Sequence, residues 1–287
     1  MQKQTPKTAE QNTSNVKGNI NTRFNNAVSH LNNENSTVVL DGIHALHQIA
    51  VEYEVYTQEV HNLFCSYLRD NSAKYYEKND FEKTPEVIQT LINYLFRHEY
   101  ADYQSDLSFS TFINCDFKNI WIRNVSFDNC DIRQCSFDDA TLNDVNFRKT
   151  TLNHVNFINA KLDHVNFNDA ALDDIFFGVV LNFVGFNNTT LCNIYFGYST
   201  LSNIGFVCAK LSNVDFDYAV LSDVNFEYAK LKERIVFTGT ILENYSLEEI
   251  TQKGHSSGIT RTKKETETEE KQDTSRNYWN KIKNLFR

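Results

Sequence analysis

Between Leu107 and Leu242 nearly every fifth residue is Leu, Ile or Phe, and no other feature constrains the fold as tightly. The series runs Leu107, Phe112, Phe117, Ile122 and onward to Phe177. It slips by one residue to Leu181 and runs to Leu231. After a one-residue insertion it resumes at Phe237 and Leu242, giving 28 positions in all. A period of five fits neither the 3.6 of a helix nor the 2 of a long strand. A coil with four short sides does fit. Two residues before each large apolar residue stands a smaller one, such as Val145, Thr150, Val155 or Ala160, and the positions between are polar. Each side therefore turns two residues inward and three outward, and four sides close a turn of twenty.

Val-x-Phe and Ala-x-Leu units alternate, as in Val145-Asn-Phe147 and Ala160-Lys-Leu162. This doubles the period to ten, half a turn, and predicts phenylalanine ladders on two opposite sides. One ladder runs 127, 147, 167, 186, 206, 226; the other runs 117, 137, 157, 177, 196, 216, 237. Residues one turn apart would lie about 4.8 Å from each other, the spacing of hydrogen-bonded strands. Seven turns at that rise make a rod of roughly 30–35 Å. The chain has only 2 prolines, as expected where most backbone N–H groups enter ladders.

The unit of small residue, polar residue, Leu or Phe, and two polar residues resembles the pentapeptide-repeat family, over about half the chain. The resemblance implies a mainly β fold: a right-handed quadrilateral β-helix of about seven coils, without catalytic residues, behind an N-terminal α-helical domain. The run Arg23-Phe24 through Ala27, Leu31, Val39-Leu40-Asp41-Gly42-Ile43, Leu46 and Ile49 looks like the HEAT-like helical module that precedes such repeats in many bacterial proteins. In those proteins membrane-spanning helices often lie upstream. This chain departs from that, since its first residues are few and polar.

Four segments are expected: a disordered stretch at 1–22, an α-helical capping domain at 23–100, the β-helix at 101–245, and a flexible charged tail at 246–287 that ends in a short amphipathic helix. Helical spacing marks 38–50, Tyr56–Arg69 and a third helix opening at Pro85 after Thr84. Such a domain would cover the open edge of the first coil, which otherwise invites aggregation.

Formal net charge is −9, which argues against direct nucleic-acid binding through phosphates and leaves basic proteins open as partners. Residues 105–245 hold 17 Asp and Glu against 10 Lys and Arg, and no Lys or Arg occurs from 162 to 209. No apolar stretch is long enough to span a bilayer, and no signal-peptide segment is present. The expected location is the cytoplasm, with peripheral contact to the inner membrane as the alternative. Six cysteines at non-motif spacing read as reduced and structural. Cys115 and Cys135 should lie one above the other, where a disulfide or metal is the alternative to simple packing. His154 and His164 fall half a turn apart and cannot share a metal. His44 and His47 have zinc-compatible spacing but no third ligand. No cofactor or catalytic site is expected.

Two candidate surfaces stand out. Phe176, Val180, Phe183, Tyr195, Tyr198 and Tyr218 occupy outward slots around the slip, where other coils carry Asn, Asp or Thr; exposed aromatic clusters mark interfaces. Coverage of these residues by a loop or by the tail is the competing reading. Near the end, Tyr278, Trp279, Ile282, Leu285 and Phe286 have helical spacing among Lys281, Lys283 and Arg287. They form a candidate docking helix for a protein, for lipid, or for the acidic solenoid and aromatic patch of the same chain. The functional expectation is a non-enzymatic scaffold with an unidentified protein partner. The alternatives are a DNA mimic that binds a type II topoisomerase, as quinolone-resistance pentapeptide proteins do, and a peripheral membrane sensor or effector using the C-terminal helix.

Overall fold

The computed structural model describes residues 6–77, 84–243 and 255–260. Four helices come first: α1 (Pro6–His30), α2 (Ser36–Glu52), α3 (Thr57–Glu77) and α4 (Glu86–Leu95). Each buries one apolar stripe. In α2 the stripe is Val39, Ile43, Leu46, Ile49 and Ala50, and the Asn35 side chain caps its start by accepting the Thr37 N–H at 2.9 Å. Helix α1 corrects the expected boundary at residue 23. Residues 6–22 are helical, and the buried stripe of Phe24, Ala27 and Leu31 extends back to Ile20. One buried residue in a mostly polar stretch is too weak a periodic signal to call a helix.

From Ser105 onward the chain is a β-solenoid of about seven coils. Its strands form two parallel eight-stranded sheets, with partners twenty residues apart, for example Leu142 with Leu162 and Val145 with Val165. Four walls follow in order around the coil. The first centres on Ile122, Leu142, Leu162, Leu181, Leu201, Leu221 and Leu242. The second and fourth centre on the two phenylalanine ladders. The third centres on Ile132, Leu152, Leu172, Leu191, Leu211 and Leu231. These inward residues are buried apart from Leu242, which packs half-buried against the core.

The phenylalanines stack as the alternation predicts. Phe147 lies 4.9 Å from Phe167, and Phe167 lies 5.1 Å from Phe186, with planes within 5° of parallel. Rings of the opposite ladder meet them edge-on, as Phe157 meets Phe167 at 6.2 Å and 86°. Parallel neighbours on one wall and edge-to-face neighbours across the core satisfy both favoured aromatic geometries.

The corners explain the polar residues. The second residue after nearly every core Leu, Ile or Phe has φ between 51° and 64°, the left-handed region. Asn and Asp tolerate this conformation best among non-glycine residues, and they fill most of these slots. At the slip the corner between Phe177 and Val180 lacks that residue, so Leu162 pairs with Leu181, nineteen on. At the late insertion Arg234 is the extra residue, and Val214 pairs with Ile235 across a bulge. Buried hydroxyls at the small inward slot tie successive coils. Thr150 Oγ1 donates to the Phe127 carbonyl at 2.6 Å and Thr189 Oγ1 to that of Phe167 at 2.8 Å.

Side chains of α3 and α4 occupy the hydrogen-bonding groups of the first coil. Tyr76 Oη accepts the Ile113 N–H at 3.0 Å, Ser72 Oγ accepts the Thr111 N–H at 2.9 Å, and the Gln89 amide bonds both N–H and C=O of Asp116 at 2.9 and 2.8 Å. These bonds leave that edge little backbone to offer another strand. At the other end His255–Thr260 pairs in parallel with Lys230–Val236. The β-pairing thus runs past 245, where a flexible tail is the sequence expectation. The segment carries no five-residue period, so only its pairing reveals it. Residues 1–5 and the rest of the tail lie outside the described residues.

His61 sits in the joint between the helices and the solenoid. It is buried, its Nε2 lies 2.9 Å from Ser105 Oγ, and Tyr100 and Tyr103 flank its ring. Burial lowers its pKa below 6.5, with Asn62 opposing weakly. The unfolded chain therefore binds more protons just below pH 6.5, so folding stability falls as pH drops from 6.5 toward the folded value and is intact above it. Melting temperature should decrease between pH 7.5 and 5.5, and less so in His61→Gln. An identical pH slope in the variant would remove His61 from this account.

Candidate interaction surface

The six outward residues around the slip do not form one patch. They divide between two adjacent walls and their corners. Phe176 and Tyr195 lie on the fourth wall, stacked at 4.4 Å and 4°. Phe176 is only 5% exposed and packs with Ile158, so it is not the open contact residue that its outward slot suggests. The outward slots one place past the core ring on this wall hold Gly178 and Gly197 in the next coils. Without side chains there, the neighbouring aromatic rings have room to lie against the wall. The glycines carried this information in the sequence, but their meaning depends on knowing which wall they line.

Val180 begins the first wall of the next coil and is 51% exposed. It pairs with Thr200, Thr200 with Val220, and Val220 with Ile241. Beside this stripe runs a second one, Asn182, Ser202 and Ser222. These two stripes hold no charge between Lys161 and Asp163 below and Glu243 above. The corners frame them. Tyr198 and Tyr218 stack at 5.1 Å on the corner that leads into the wall, and the Tyr218 ring lies where a Cβ on Gly239 would stand, 2.6 Å away. On the far corner Phe183, 51% exposed, stacks on His164 at 4.9 Å. Sequence reasoning missed Thr200, Val220 and Ile241, because β-branched residues in a strand read as ordinary propensity.

The outward carboxylates and amides are largely committed to the scaffold. Asp138 Oδ1 accepts the Ile158 N–H at 3.1 Å, and Asp217 Oδ1 accepts that of Thr238 at 2.8 Å. Burial raises the Asp138 pKa. On the second wall Asn168 and Asn187 accept the N–H groups of Asn187 and Val207 at 2.7 and 2.9 Å. Their oxygens stand within 2.8 Å of where a Cβ on Gly185 or Gly205 would be, so the two glycines leave room for these amides. Asp163 bridges Asn143 and Asn182 at 3.3 and 2.9 Å.

Other candidate groups are also engaged. The Cys115 N–H donates to Cys135 Sγ at 3.3 Å, and both thiols are free and buried. Burial pushes the Cys65 thiol up to about 11 and the Cys130 and Cys135 thiols further, which keeps them protonated and weakly nucleophilic. His44 bonds Tyr94 Oη at 2.6 Å, and His47 stacks on the same ring at 3.8 Å. His154 faces Asp174 at 3.1 Å and His164 faces Asp163 at 3.2 Å. No group of three metal-ligating side chains occurs among the described residues. No helix among them is long and apolar enough to cross a membrane. The candidate docking residues Tyr278, Trp279, Ile282, Leu285 and Phe286 lie outside the described residues.

Residues 105–177 match the family described as Pentapeptide repeat region, and residues 206–233 match Pentapeptide repeats (8 copies). No match was found among curated proteins. Similar solved structures include a trypsin-treated form of QnrB1, a plasmid-mediated fluoroquinolone resistance protein, at 17% identity and TM-score 0.28, covering 50% of this chain and 84% of that one. HetL, a pentapeptide repeat protein involved in heterocyst differentiation regulation from the cyanobacterium Nostoc, is similar at 15% identity and TM-score 0.22, covering 47% and 80%. A pentapeptide repeat protein from the Arabidopsis thaliana thylakoid lumen is similar at 10% identity and TM-score 0.24, covering 40% and 66%. The periodicity, the twenty-residue register and the family matches agree: this chain carries a pentapeptide-repeat β-solenoid of about seven coils behind a region of four helices.

Proposed function

We propose that the protein is a non-enzymatic interaction module whose working surface is the first wall of the solenoid, from Val180 to Ile241. The observation that carries this reading is the in-register stripe Val180, Thr200, Val220, Ile241, uncharged and bordered by Tyr198, Tyr218 and Phe183. Tyrosine-edged, charge-depleted surfaces are the composition of interface cores. A rigid ladder loses little conformational freedom on binding, so more of the contact energy appears as affinity. The partner is a protein with a matching apolar face. The stripe offers no row of carboxylates, and a phosphate mimic would need one.

The test is affinity capture from an extract of the source organism with the wild-type chain and with Thr200→Arg/Val220→Arg. Both side chains point outward, so the variant should keep its circular dichroism and melting temperature. The wild type should retain a stoichiometric protein that the variant loses by tenfold or more. Equal retention by a folded variant would move the working surface elsewhere.

A further inference from the structure

The middle of the fourth wall is more covered on its outside than the first wall. Ile158, Phe176 and Gly197 occupy outward slots there and are buried, and Gly178 and Tyr195 are half-buried, whereas Lys161, Val180 and Thr200 in outward slots of the first wall are exposed. Ile158, Phe176 and Tyr195 cover one another in part, but Gly197 has no side chain to fold over itself. The capping side chains of α3 and α4 meet the solenoid at its first coil, well below these residues. The wall is also chemically graded. Its apolar centre of Ile158, Phe176 and Tyr195 lies between Asp138 and Asp139 on one side and Asp215 and Asp217 on the other. Lys118 acts on Asp138 and Arg234 on Asp215.

We infer that the C-terminal segment Tyr278–Phe286 of the same chain docks along the fourth wall, over Ile158, Phe176 and Tyr195. Its composition complements the wall. Five large apolar residues, Tyr278, Trp279, Ile282, Leu285 and Phe286, alternate with Lys281 and Lys283, and no acid follows Asp273. The wall offers an aromatic centre for the first set and carboxylates at both ends for the second. Every residue from 162 to 209 is free of competing positive charge. Reach is sufficient. The strand His255–Thr260 sits on the last coil, and the residues from 261 to 277 span up to about 55–60 Å when extended. Phe176 lies four coils, or roughly 19 Å, below that strand. Docking in cis would seal one wall and leave the uncharged first wall for the partner. It does not depend on what that partner is.

The chain has 2 tryptophans, and Trp121 is 80% exposed on the first wall, so Trp121→Phe leaves Trp279 as a single reporter in the full-length protein. Acrylamide quenching of Trp279 should be several-fold weaker than in a peptide of residues 274–287 and independent of protein concentration. Tyr195→Asp in the same background should restore quenching to the peptide level without moving the melting temperature. A benzoylphenylalanine at position 282 should cross-link within the monomer to peptides holding residues 156–158 or 176–197. Quenching equal to the peptide in the parent would overturn the inference. So would shielding that rises with protein concentration, which means a second copy. Shielding that appears only with anionic phosphatidylglycerol vesicles would overturn it in favour of lipid. These readouts use purified protein alone, so their failure is separable from failure to capture a partner.

Discussion

Phe167→Ala is expected to lower the stability of the solenoid by about 3–5 kcal/mol, the range for removing a fully buried aromatic ring. Phe167 is fully buried. It stacks on Phe147 at 4.9 Å and Phe186 at 5.1 Å, and it meets Phe157 and Phe177 edge-on at 6.2 and 5.9 Å. Four rings lose a partner at once. The walls are held by twenty-residue ladders on both sides, so they have little freedom to close on the cavity. Phe237→Ala gives the internal comparison. Among the described residues that ring stacks only on Phe216, at 5.0 Å, and it lies in the last coil of the repeat, so its loss should be clearly smaller. Urea unfolding followed by far-ultraviolet circular dichroism measures both. Coincident curves for Phe167→Ala and the parent would contradict the stacked core.

Gly42→Leu is expected to separate α1 from α2, at about 1–3 kcal/mol or more, as over-packing a tight contact does. A Cβ on Gly42 would stand 2.7 Å from His30 Cβ and 2.8 Å from the Ala27 carbonyl oxygen. The second atom is backbone and cannot rotate away. Side chain beyond Cβ can be accommodated only if α1 moves, and that move uncovers Ile20, Phe24 and Ala27. Limited proteolysis should then cut within α1 at protease concentrations that leave the parent intact, while the solenoid fragment persists. Unchanged protection of α1 would show that the close approach is not what holds it.

How far the sequence reached depends on how strictly each part repeats. The ladders were legible to the residue, because a period of five with alternating Phe and Leu admits one register. Helix α1 before residue 20 was not legible, since Ile20 alone marks its stripe. Nor was the strand His255–Thr260, which borrows its conformation from the edge of Lys230–Val236 rather than from a pattern of its own. The outward residues around the slip read as one patch in the sequence, and the coil divides them between two walls. The counting placed Phe176 outward, which is correct. It could not say that Phe176 would be buried there, because burial depends on Ile158 one coil earlier and on glycines in the neighbouring slots. The stripe on the first wall went unseen for a related reason. Thr200, Val220 and Ile241 are ordinary strand residues until the coil aligns them with Val180.

The central claim is that one wall of a rigid coil makes the functional contact. Thr200 and Thr151 allow a direct comparison, since both are exposed and hold the same outward slot, on the first and third walls respectively. A photo-crosslinking amino acid placed at each in turn, in cells of the source organism, reports what touches each wall. The account predicts a discrete protein adduct from position 200 and none from position 151. Adducts of equal yield from both positions, or from position 151 alone, would contradict it.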